Sequence, residues 1–158
     1  MTWVKARAGA PRYPGNNEGQ VQAGASDAPG TEVDAMAVEV SRRVLVVDDD
    51  ASVRESLQFL LEIVGYRTAT FASPQECLAA LATMDVACLV IDQHMPGQTG
   101  LELVAELRRR GVHAPALLIT GSPSASLQRR AQEMDGMRVL AKPPGEDELL
   151  RFVAAAVT

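Results

Sequence analysis

From Arg43 to the end of the chain, short apolar runs alternate with amphipathic stretches. Residues 44–47, 86–91 and 116–120 are apolar almost throughout, as strands are when helices cover both faces of a parallel sheet. Residues 67–71 and 137–141 complete a predicted set of five strands. Between the first two, Val53, Leu57, Leu60 or Leu61, and Val64 fall at helical spacing on one stripe, which Gly65 closes as a C-terminal cap. Ser73-Pro74-Gln75-Glu76 starts a second helix, with a capping serine, a proline in the first turn and a glutamate that completes the box. Thr99 and Glu102 form the same box for a third helix, whose Leu101, Val104 and Leu107 face inward before Gly111 stops it. Ser122-Pro123 is read as opening a fourth helix, and Leu149 or Leu150, Val153 and Val157 supply the stripe of a fifth. Strict alternation of this kind predicts an α/β fold: a five-stranded parallel doubly wound sheet of the flavodoxin-like (βα)5 type.

Residues 1 to about 41 follow neither period. Gly9, Gly15, Gly19, Gly24 and Gly30, with Pro11, Pro14 and Pro29, are scattered among small and polar residues. Such a segment buries too little apolar surface to offset its ordering entropy, so a disordered tail is expected, serving as a spacer or a docking arm. The folded domain is expected over residues 42–158.

Composition narrows the function classes. Hydrophobic residues are 47% of the 158 and charged residues 22%, which suits one core and leaves too little length for two full domains. A net charge of -5 removes the broad basic field that draws proteins onto nucleic acid or anionic lipid, so direct nucleic-acid binding is not expected. Cys77 and Cys88 each precede a leucine in an apolar stretch, without the spacing of a zinc site, and read as buried free thiols in a reducing cytosol. No apolar run has the length of a signal-peptide core or a membrane span, so a cytoplasmic, non-membrane protein is expected.

The carboxyl ends of the strands are where a sheet of this type binds its ligands. Strand one runs into Asp48-Asp49-Asp50, strand three into Asp92, strand four ends at Thr120, and strand five leads to Lys142-Pro143. Taken singly these residues are ordinary: an aspartate after a strand caps the next helix, as Asp50 is expected to do, and a lone lysine is a solvated surface group. Delivered to one edge, crowded carboxylates repel one another unless a hard divalent cation sits between them, and Mg²⁺ is the cofactor expected.

Four blocks at these positions resemble those of response-regulator receiver domains: Val44-Leu45-Val46-Val47-Asp48-Asp49-Asp50, Leu89 through Leu103 around Asp92-Gln93-His94-Met95-Pro96-Gly97, Leu118-Ile119-Thr120-Gly121, and Ala141-Lys142-Pro143. The resemblance covers residues 43–158. It implies that Asp92 accepts a phosphoryl group, that Asp48, Asp49, Asp92 and the backbone carbonyl of His94 hold Mg²⁺, that Thr120 binds a phosphoryl oxygen and that Lys142 pairs with the phosphate. It further implies a sensor histidine kinase or phosphotransfer protein as donor, an unidentified downstream protein target, and a face formed by helix four, strand five and helix five for homodimers or target binding. Such a protein is no enzyme beyond its own phosphoryl transfer and dephosphorylation, and with nothing after helix five it reads as a single-domain receiver.

Three departures from the family pattern stand out. Val139 occupies the place of an aromatic switch residue, Lys142-Pro143-Pro144 replaces a Lys-Pro-Phe, and His94 sits beside the acceptor as either a solvent-facing loop residue or one that tunes hydrolysis. Two rival readings follow. A receiver-shaped interaction module that is never phosphorylated would account for Val139 and Pro144, but not for the retained acidic residues. A phosphatase of the haloacid-dehalogenase type would use Asp48-x-Asp50 as its nucleophile motif, leaving Asp92 and the Met95-Pro96-Gly97 block without a role.

Overall fold

The structure is a computed structural model that describes residues 42–158. The tail expected over residues 1–41 lies outside the described residues. Five strands form one parallel sheet: β1 (Arg43–Val47), β2 (Thr68–Phe71), β3 (Val86–Asp92), β4 (Ala116–Thr120) and β5 (Met137–Ala141), in the order β2-β1-β3-β4-β5. Between and after them run α1 (Ala51–Ile63), α2 (Pro74–Ala80) with a short 3-10 turn at Leu81–Thr83, α3 (Gly100–Arg109), α4 (Ala125–Gln132) and α5 (Glu146–Val157). This is the flavodoxin-like doubly wound architecture expected from the alternation.

Strand parity decides which helix covers which face, because successive side chains point to opposite sides of a sheet. Leu45, Val47, Leu89, Ile91 and Leu118 pack with Cys77 of α2, Leu101, Val104 and Leu107 of α3, and Leu127 of α4. Val44, Val46, Val90, Leu117 and Ile119 pack on the other side with Leu57 and Leu61 of α1 and Leu149, Phe152 and Val153 of α5. The sheet interior is therefore sealed on both faces, and each fully buried Leu or Ile contributes roughly 1.5–3 kcal/mol.

Caps fix where the helices begin. Asp50 Oδ1 accepts from the amides of Ser52 at 2.9 Å and Val53 at 3.3 Å, so Asp50 is the N-cap of α1 as expected. Ser73 caps α2, and Thr99 with Glu102 closes a full capping box on α3. At the C-terminal end of α1, Gly65 takes φ +98, a left-handed conformation that turns the chain toward β2.

The start of α4 differs from expectation. Ser124 rather than Ser122 is the cap, accepting from the Leu127 amide at 3.1 Å, and the helix begins at Ala125. The reason is local: the Ser122 amide donates to Thr120 Oγ1 at 3.1 Å, which holds Gly121-Ser122-Pro123 as a loop for two more residues. In α5 the inner stripe gains Phe152, while Val157 is half-buried at the edge of the core.

Candidate functional site

The register of the strands brings their carboxyl ends level. Val47 lies beside Ile91, Asp92 beside Ile119, and Thr120 beside Ala141, so Asp48, Asp92, Thr120 and Lys142 emerge on one edge of the sheet. Asp48, Asp92 and Thr120 are buried; Asp49 is exposed. One carboxylate oxygen each from Asp48, Asp49 and Asp92 lies within 4.8 Å of the others.

Lys142 is the counter-charge to this group. Its Nζ donates to Asp48 Oδ2 at 3.0 Å and stands 3.2 Å from Asp92 Oδ1. The backbone holds it there, since the Lys142 amide donates to the Thr120 carbonyl at 2.8 Å. Burial disfavours the ammonium, but its hydrogen bonds to Asp48 and Asp92 and their negative charges together outweigh that and hold its pKa above the usual lysine value. The Asp92 carboxyl is pushed up by burial first and by the Asp48 charge second, with Lys142 and the His94 amide pulling the other way.

Three carboxylates against one ammonium leave the cluster with excess negative charge, and every donor offered is an oxygen. This fits a hard divalent cation. Burial of Asp48 and Asp92 fixes two of the donors, whereas the exposed Asp49 approaches from the solvent side.

Thr120 carries the hydroxyl at this edge. Its Oγ1 accepts from the Ser122 amide and lies 3.2 Å from His94 Nε2. His94 is exposed, and its amide faces Asp92 Oδ1 at 3.4 Å. The side chain thus reaches from the loop after β3 to the end of β4, a contact that neither sequence reading of His94 included.

Two supporting residues also escaped the sequence. Gln93 Oε1 accepts from the Leu101 amide at 2.9 Å while its backbone carbonyl accepts from Gly100 at 3.0 Å, which ties the loop after Asp92 to the start of α3. A buried glutamine at a strand end was the available signal. Arg54 Nη1 donates to the Asp48 carbonyl at 2.6 Å, bracing the turn between β1 and α1. Gly100 is needed where it stands, because a Cβ there would meet the Asp92 carbonyl oxygen at 2.5 Å and Leu118 Cδ2 at 2.8 Å.

Known proteins with the same features were found by sequence and by shape. Residues 44–154 match the family described as the response regulator receiver domain. Over 113 residues the chain is 38% identical to nodulation protein W of Bradyrhizobium diazoefficiens, a match covering 72% of this chain and 50% of that one. It is likewise 38% identical over 114 residues to the transcriptional regulatory protein FixJ of Azorhizobium caulinodans, covering 72% and 54% respectively. The chain spans about half the length of these relatives. Among solved structures, the chemotaxis protein CheY4 of Vibrio cholerae superposes with a TM-score of 0.68 at 27% identity, covering 73% of this chain and 98% of that one. The receiver domain of the Francisella response regulator 1452 gives 0.68 at 26% identity, covering 73% and 96%.

Proposed function

The chain belongs to the response regulator receiver family, and on that premise we propose that it is the phosphoacceptor of a two-component or phosphorelay system, with Asp92 as the residue phosphorylated. The observation that carries this reading is the convergence of Asp48 and Asp92 on Lys142 Nζ, at 3.0 and 3.2 Å, with Asp49 in the same cluster.

In the proposed reaction a carboxylate oxygen of Asp92 attacks phosphorus in line. The bond from phosphorus to the donor, a phosphohistidine nitrogen or the leaving oxygen of a small phosphodonor, breaks as the new one forms, and its electron pair leaves with the donor. Charge spreads over the equatorial oxygens in that step and must be met by fixed positive groups. Lys142 already stands beside Asp92 and supplies one of them. The Thr120 hydroxyl lies at the end of the adjacent strand and supplies a donor to a phosphoryl oxygen once its O–H is turned from His94, while its oxygen still accepts from the Ser122 amide. A Mg²⁺ ion held by Asp48, Asp49, Asp92 and the His94 carbonyl would neutralise further charge on those oxygens. Lys142 also favours the anionic, nucleophilic form of Asp92 against the burial that raises its pKa.

The output follows from what the phosphoryl group would move. Thr120 drawn toward it takes along the Ser122 amide and so the exposed loop leading to α4. Val139 is half-buried against the core and too short and stiff for the swing an aromatic would make. Displacement of the loop and of α4 therefore carries the signal to a face of α4, β5 and α5, which serves a protein target or a second copy. A cognate histidine kinase or phosphotransfer protein is the donor.

The test is intact mass after incubation with acetyl phosphate and Mg²⁺. Wild type should gain one phosphoryl mass and Asp92→Asn none. Equal labelling of the two would overturn the assignment, and label lost only in Asp48→Asn would favour the dehalogenase-type chemistry. Against that rival, the Asp50 carboxylate is engaged as the cap of α1, which leaves its Asp48-x-Asp50 motif without an acid-base member.

A further inference from the structure

Thr120 is fully buried, and the main chain around it is pinned: the Lys142 amide donates to the Thr120 carbonyl at 2.8 Å, and the Gln93 amide donates to the Ile119 carbonyl at 2.9 Å. What is left to turn is the hydroxyl, which has one proton to give and an oxygen that accepts. That oxygen already accepts from the Ser122 amide at 3.1 Å. Among the described residues its other hydrogen-bond partner is His94 Nε2, at 3.2 Å.

The neighbours of His94 place it for this contact. Gln93 and Met95 on either side are buried, each 8% exposed, and Gln93 is tied to the start of α3 through both its side chain and its carbonyl. The main chain of His94 is thus anchored while its side chain is exposed. An exposed imidazole has water for a partner, so burial does not force it onto Thr120. Its amide faces Asp92 Oδ1 at 3.4 Å, so one residue meets the acceptor with its backbone and the Thr120 hydroxyl with its ring.

We propose that His94 is a positioning residue that latches Thr120: its Nε2 takes the hydroxyl proton in the unphosphorylated protein, and Thr120 turns to a phosphoryl oxygen only by giving that bond up. This rests on Asp92 being the phosphoacceptor. The exchange goes forward because a hydrogen bond to a charged phosphoryl oxygen is stronger than one to a neutral ring nitrogen. The bond given up is subtracted from that gain, so the latch sets how readily the switch responds. Val139 carries no ring to follow or oppose Thr120, and His94, reaching across from the loop after β3, sets the resting position of the hydroxyl instead. A latch stabilises one of two states, so loosening it raises the population of the other before any phosphoryl group arrives.

The test compares the full chain as wild type, His94→Phe and His94→Gln. Phenylalanine keeps a ring without an acceptor, and glutamine offers an amide at about the reach of Nε2; both keep the backbone carbonyl offered to Mg²⁺. Without Mg²⁺ or phosphodonor, three-bond couplings of Thr120 should report a single χ1 rotamer in wild type and His94→Gln, and averaging in His94→Phe. One unaltered rotamer in all three would overturn the latch. Titration with beryllofluoride in Mg²⁺, followed at the Ser122 amide, should show binding about 2- to 10-fold tighter in His94→Phe than in wild type, as when one neutral hydrogen bond no longer opposes it. His94→Gln should return to the wild-type value; a glutamine variant matching phenylalanine would overturn the latch. Equal affinities in all three would also overturn it while leaving the phosphoacceptor reading intact. Binding by none of the three would defeat the phosphoacceptor reading itself, and the latch, which depends on it, would fall with it.

Discussion

Lys142 and Asp48 lie 94 positions apart in sequence and meet at 3.0 Å through a nearly buried carboxylate. Removing the ammonium would leave Asp48 and Asp92 facing each other without it. Lys142→Ala is expected to lower stability by about 1–3 kcal/mol, less than for a fully buried pair because Lys142 keeps partial solvent contact. Added Mg²⁺ should restore much of the loss. Urea unfolding with and without the ion measures both.

Asp92 should be a liability in the absence of metal. Its carboxyl is raised by burial and by the Asp48 charge, so the folded protein holds that proton more tightly than the unfolded chain does. The favourable contribution is present at low pH and is lost as pH rises through the folded pKa, leaving a net cost above it. Asp92→Asn should therefore be more stable than wild type at neutral pH without Mg²⁺, with the advantage shrinking as pH falls below that value. Melting temperatures across a pH series decide this, and equal stability at neutral pH would contradict it.

Close packing behind the acceptor gives a third expectation. Gly100→Ala forces a methyl group into the Asp92 carbonyl and Leu118, and should cost about 1–3 kcal/mol and slow labelling of Asp92. Gly121→Ala is the control: nothing lies within 4 Å of its Cβ, and its stability should stay within about 0.5 kcal/mol of wild type.

A phosphoryl mimic at Asp92 should move amide resonances of Gly121, Ser122 and Ala125 and extend into α4 and α5. The same experiment on Val139→Phe should show larger changes around β5. Shifts confined to residues touching the metal would favour a site-occlusion or phosphate-sink role.

The sheet was legible because its three central strands, β1, β3 and β4, are apolar almost throughout and its helices carry capping residues in sequence: Asp50, Ser73 and Thr99 each cap the helix expected of them. The start of α4 was not, since three serines or prolines in a row offer competing caps and the choice falls to the Thr120 hydroxyl, a contact made across the strand end. At the site, strand ends placed the aspartates, Thr120 and Lys142 at one edge. The His94 to Thr120 contact and the Gln93 tether depend on how the loop after β3 folds back, and no period in the sequence encodes that path.

Strand order carries a thermodynamic consequence. β1 and β3 are neighbours, yet the chain between them runs out to β2 at the edge and returns. Asp48, Asp92, Thr120 and Lys142 therefore come from four separate crossings of the molecule, and none of them is in place until the central pairings close. Fraying of a single helix does not assemble or dismantle such a site. A ligand gripping it binds only the completed sheet, so its free energy appears as resistance of the whole domain to global unfolding. Exchange of the most protected amides in β1, β3 and β4 should slow together, by one common factor, as ligand is added.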